Sequence, residues 1–232
     1  MRTAIRRRSQ RPRAPLNPIQ PATEEPPATR RWRRFDAAGV RTALLVGAAV
    51  LVAAAAFLPL WGMTLVSVQY PEGLRMVIYP DHIRGDITEI NLLNHYIGMA
   101  EISDDYFHEL KVIPGLFAAI AIAALGAALV RRFWATLLPL GLMVATAVYG
   151  FWSMHSRLYQ FGHELDPTAP IEIEPFTPAM IGSHTIAQFA TYAYFSWGTF
   201  LPVLAGALIC AALWLDLRKD RSSGSTAQGR LP

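Results

Sequence analysis

Residues 113–152 read IPGLFAAIAIAALGAALVRRFWATLLPLGLMVATAVYGFW, two apolar runs split by a single pair of arginines. Ile113 to Val130 and Phe133 to Trp152 contain no Asp, Glu, Lys, Arg or His. Each is close to the roughly 20 residues that a helix needs to cross a hydrocarbon core of about 30 Å. The stretch therefore predicts a transmembrane helical hairpin with Arg131-Arg132 as its turn. Thr42 to Trp61 and Phe195 to Leu215 are two further runs of the same kind. A chain of 232 residues that is 53% hydrophobic and only 16% charged, with its apolar residues gathered into long runs, has the composition of a membrane protein. The first run follows a basic region, as a cleaved signal peptide would, but some forty residues precede it and it exceeds the usual signal core of about 7–15 residues. It reads as a retained anchor.

Arginine placement sets the expected orientation. Eleven of the 21 Lys and Arg precede the first run, two form the hairpin turn, and Arg218, Lys219, Arg221 and Arg230 follow the last run. The other side holds only Arg75, Arg84, Lys111 and Arg157, with twelve of the seventeen acids. The positive-inside rule then places both termini in the cytoplasm. Trp61 and Trp152 at one level and Trp134 and Trp214 at the other match aromatic belts. The net charge of +4 is the sum of a basic inner face and an acidic outer one, and it does not point to nucleic acid. The expected fold class is an all-α membrane protein with four transmembrane helices, both termini inside, and a small extracytoplasmic cap.

The expected organisation is a disordered basic cytoplasmic tail over residues 1–38, a four-helix membrane domain over 39–217 and a second disordered tail over 218–232. The outer loops are 62–111 and 154–182. In the first loop, TLVSVQYPEGLRMVIYP reads as a β-hairpin around Pro71-Glu72-Gly73, IRGDITEI can add a third strand, and Asn91 caps a short helix running through Met99. Ser103 with Asp104 and Asp105 marks a further helix start. The second loop, with Pro167, Pro170, Pro175 and Pro178, reads as an extended packed cover. Thr185 and Gln188 form a capping-box pattern that starts the fourth helix early, and Pro202 kinks it. Rows of small residues, Gly115/Ala119/Ala123/Ala127 and Gly198/Pro202/Gly206/Cys210, offer close-packing faces.

All six histidines and five of the seven methionines fall on the expected outer side. Imidazole and thioether together suit copper, and thioether favours Cu(I). The lone Cys210 lies in the inner half of the last run and reads as packing. The i,i+4 spacing of His95 and Met99 puts both on one helical face, either as a ligand pair or as ordinary packing, since methionine commonly fills irregular cores. His163, Met154, His155 and His108 complete the candidate metal set. His163 follows a glycine that can end a helix, His155 sits at the expected outer end of the third span, and His108 can simply pair with Asp104. No charged residue interrupts the spans, which argues against an ion pathway or a mid-membrane haem. No CxxC, HExxH, P-loop, dinucleotide fingerprint or G-x-S-x-G motif is present. The chain reads as a non-enzyme.

Three segments in order, PLWGMTLVSVQYPEGLRMVIY, GDITEINLLNHYIGM and YQFGHELDPTAPI, resemble the motifs of a family of small bacterial four-span membrane proteins, from about residue 55 to about residue 190. The matching positions are Tyr70, Pro71, Glu72, Gly73, Leu74, Asn94, His95, Tyr96, Gly98, Met99, His163, Leu165, Asp166 and Pro167. Val68 replaces a proline of the family pattern and Leu92-Leu93 replaces Gly-Leu. The family is associated with nitrous oxide reductase maturation and copper delivery. The resemblance implies an inner-membrane accessory protein that contacts membrane lipid, takes copper as its cargo, and has a periplasmic copper chaperone, a metalloenzyme or an ABC exporter as partner. The competing expectations are a metal-free structural subunit that docks an oxidoreductase or exporter, and an electron-transfer subunit holding haem or quinol through His155 and His184.

Overall fold

The four apolar runs fold into four helices, which the computed structural model packs together as a bundle. It describes residues 37–104, 106–130, 132–186 and 189–228. The helices are α1 (Ala37–Ala55), α2 (Ile87–Ile97), α3 (Ile113–Leu129), α4 (Phe133–His163) and α5 (Trp197–Gln228), with a 3-10 turn at His108–Lys111. α1, α4 and α5 are long and apolar enough to cross a membrane, whereas α3, at 17 residues, is shorter. α4 continues well past Trp152, so Met154 and His155 lie inside it rather than at its end. α5 continues to Gln228 through part of the stretch read as a tail. The basic tail over 1–38 lies almost wholly outside the described residues.

α1 supplies the bundle's central seam. Leu45, Ala48, Val52 and Ala55 are fully buried at helical spacing, against Ala205, Ile209 and Ala212 of α5 and Phe117, Ile120 and Ala127 of α3. Small residues on α1 and α5 let the two backbones approach. The small-residue row of α3 contributes less than expected, because Gly115 and Ala119 are exposed and α3 buries Phe117, Ile120 and Ala124 instead.

At one end a single cation ties the four long helices together. The buried Arg41 of α1 donates from Nε to Asp216 of α5, from Nη1 to the Ala127 carbonyl of α3 and from Nη2 to the Thr136 hydroxyl of α4. Thr136 in turn donates to Asp216. A buried charge is tolerated only when paired and hydrogen-bonded in this way.

The opposite end carries a β-sheet, which corrects the all-α expectation to a mixed α and β fold. Strands β1 (Trp61–Val66), β2 (Leu74–Ile78), β3 (Ile83–Gly85), β4 (Gly182–Ile186) and β5 (Phe189–Phe195) form one antiparallel sheet in the order β3-β2-β1-β5-β4. The β1–β2 hairpin turns where expected, with Gly73 at φ 80. β3 keeps only three residues of IRGDITEI, because α2 begins at Ile87. Thr185 belongs to β4, and β4 and β5 occupy the segment expected to begin the fourth helix. Alternation wins there: β5 pairs along the whole of β1, Trp61 opposite Phe195 and Val66 opposite Ala190.

Asn91 does not cap α2. It lies within the helix, and its side chain both donates to and accepts from the backbone of Ile102, holding down the segment that follows. Residues 164–181 form neither helix nor strand, and Phe176 and Pro178 of that segment pack over the sheet as a cover. The segment at Ser103 makes a turn, closed by the Tyr106 amide donating to the Ser103 carbonyl, before the 3-10 turn and α3.

Candidate functional site

The sheet's inner face is built by pairing. Register places Trp61 opposite Ile78, Met63 opposite Met76 and Leu65 opposite Leu74, and directly opposed residues share a face. α2 lies over this face and buries Ile90, Leu93, Asn94 and Ile97, an i, i+3, i+4, i+7 stripe. Phe161 and Met154 of α4 close the layer from the bundle side.

The NHYIGM and HELDP segments meet. α2 stops at Ile97 because Gly98 takes φ 76, and the amides of Gly98 and Met99 donate back to the carbonyls of His95 and Asn94, a Schellman ending. Gly98 also leaves room for its neighbour: a Cβ there would lie 2.7 Å from the Asp166 carbonyl oxygen. The Asp166 amide donates to the Gly98 carbonyl and the Ile171 amide to the Tyr96 carbonyl, at 2.8 and 3.0 Å. The Asp166 carboxylate accepts from the Thr168 hydroxyl and amide. Those two bonds, with a smaller contribution from the charge of His95, hold its pKa below the usual carboxylate range. Gly162 does not end α4; it lies inside the helix and admits the Phe176 carbonyl directly against it.

This geometry separates the candidate ligands. His95 is exposed on α2, edge-on to Tyr96, whereas Met99 lies beyond the Gly98 reversal and packs inward. The expected shared face is lost because the helix ends between them. His163 stacks on Tyr159, ring centroids 3.8 Å apart, and its Nδ1 donates to the Tyr159 carbonyl. His108 and His155 are exposed, and Met154 turns inward from α4. His184 sits on edge strand β4, stacked with Phe176, rather than on a helix. Among the described residues, no three His, Cys, Asp or Glu side chains gather as a metal-binding group.

Four methionines share the wall of one cavity. Met63, Met76, Met99 and Met154 line one apolar cavity of about 90 Å³ between the sheet, α2 and α4. Asn94 lies in the same wall, and its side-chain nitrogen is buried without a hydrogen-bond partner. Met63 and Met76 are missing from the sequence-derived ligand set, because their opposition depends on a register centred between Gln69 and Tyr70 rather than on Pro71-Glu72-Gly73. A second and larger cavity, about 310 Å³, lies below the first, between the sheet and the upper parts of α3, α4 and α5.

No family model matches the chain, and no curated protein and no solved structure matches it.

Proposed function

We propose that the chain is a multi-pass protein of the bacterial inner membrane, with the sheet and α2 as an extracytoplasmic cap, and that the cap handles Cu(I) through thioethers as an accessory to maturation of an envelope metalloenzyme such as nitrous oxide reductase. One observation supports this reading: four methionines are among the residues that line one small apolar cavity beneath the junction of NHYIGM and HELDP. Thioether sulfur selects Cu(I) over harder ions and, unlike a thiolate, is not consumed by disulfide formation. The arginine asymmetry supports the orientation. α3 supports a fourth span: its 17 residues extend about 25 Å, and a shortfall of a few Å costs only fractions of a kcal/mol per Å.

Competition with a Cu(I) chelator in detergent tests the reading. Met76→Leu or Met99→Leu lowers affinity by about tenfold or more, as loss of a ligand or its support does in metal sites, and His95→Ala and His163→Ala leave it unchanged. Wild-type protein that takes up no Cu(I) would sink the metal reading. The second reading then stands, a metal-free cap that docks an oxidoreductase or exporter. The packing of the same methionines into the cap core favours it, since methionine fills irregular interiors.

A further inference from the structure

The larger cavity is open on one side. Phe151 of α4 and Val203 of α5 belong to its wall and are 64% and 68% exposed, so the space communicates with the outer surface of the bundle. It exists because the facing residues are small: Ala147 and Gly150 on α4 stand opposite Thr199 and Pro202 on α5. A Cβ at Gly150 meets nothing within 4 Å. Its wall is almost wholly apolar and its volume lies in the range of ligand pockets, about 300–1,000 Å³.

We infer that this crevice receives an acyl chain of a bilayer lipid. The polar side chains in its wall, Thr146, Ser153, Arg157 and Thr199, are few against an otherwise apolar lining and do not select a headgroup. The Thr199 hydroxyl is already bonded to the Leu60 carbonyl. Arg157, at the sheet end, donates to Gln160 and lies over the Tyr106 ring. Recognition is therefore by the chain, and the bilayer is what surrounds the mouth. This rests on the reading of α4 and α5 as membrane spans. The inner end of the crevice is closed by Trp61, which is buried and also borders the methionine cavity. An inserted chain thus ends against a natural reporter.

The test uses full-length protein with Trp61 as its sole tryptophan, reconstituted into phosphatidylcholine vesicles with or without bromine at mid-chain. Bromination quenches about half or more of Trp61 emission, because a pocket of this kind buries most of its ligand. Phosphatidylglycerol carrying the same brominated chains gives the same quenching. Gly150→Phe or Ala147→Leu fills the crevice and removes most of the quenching without lowering the unfolding temperature. A companion protein without Trp61 and with Phe200→Trp, on the exposed surface of α5, reports lipid contact by the helices themselves. Quenching there but not at Trp61, or Trp61 quenching that survives both filling variants, overturns the inserted chain. No quenching at either position overturns the membrane reading as well. Stoichiometric extraction of an isoprenoid quinone in place of phospholipid chains overturns the assignment of the occupant.

Discussion

The two ends of the bundle are held together by different physics. At the end formed by Arg41 and Asp216, one charged network closes four helices and its main donors are paired. At the sheet end the interior is apolar, lined by flexible methionines, and contains two cavities and an unpaired amide. The first arrangement fixes helix positions, because a buried ion pair is costly to leave half-made. The second tolerates change, because thioether side chains repack easily. The division is one of a fixed base and an adaptable head.

The largest expected effect follows from breaking the fixed end. Arg41→Leu leaves the partly buried Asp216 without its cation beside Thr136 and destabilises the protein by about 3 kcal/mol, whereas Arg41→Leu with Asp216→Leu recovers much of the loss. Denaturation midpoints of the single and double variants measure this directly. Equal losses in the two would show that the network is not what ties the helices.

A smaller effect is expected at the junction of the two motif segments in the cap. Gly98→Ala combines a left-handed backbone with a Cβ pressed on the Asp166 carbonyl and costs about 1–3 kcal/mol. Limited proteolysis of reconstituted protein should show faster cleavage around residues 95–101 and 164–171, with the helices intact. Unchanged resistance would mean that the NHYIGM and HELDP contact contributes little.

The smallest effect is pH-dependent. Asp166 has a lowered pKa, so its contribution is present above the unfolded value of about 3.9 and is lost as pH falls below it toward the folded value. Acid should therefore loosen the HELDP turn before the bundle, and Thr168→Val should abolish most of that acid dependence. Hydrogen exchange of the 164–171 segment between pH 5 and pH 3, corrected for intrinsic rates, reads it. An identical profile in wild type and variant would remove the role given to the Thr168 bonds.

The helices were legible because apolar runs of about twenty residues have few other uses, and the β1–β2 hairpin because Pro-Glu-Gly punctuates two alternating runs. β4 and β5 were not. Phe189, Thr191, Ala193 and Phe195 alternate, but the segment runs directly into an apolar helix, and Thr185 with Gln188 imitates a cap. The strand that β5 pairs with lies well over a hundred residues earlier. The Arg41–Asp216 pair spans a separation of 175 residues, each partner standing just outside an apolar run. The expected shared face of His95 and Met99 is lost for a local reason. Their spacing means a shared face only if the helix continues, and Gly98 ends it. The direct opposition of Met63 and Met76 became readable only after strand register was known.

The most direct test of the central claim, that the cap's ligand set is sulfur and not imidazole, is X-ray absorption at the copper edge of protein loaded with one equivalent of Cu(I). The account predicts a sulfur-only shell without the outer-shell scattering of imidazole, unchanged in His95→Ala and altered in Met76→Leu. A nitrogen shell with imidazole scattering that disappears in His95→Ala or His163→Ala would contradict it.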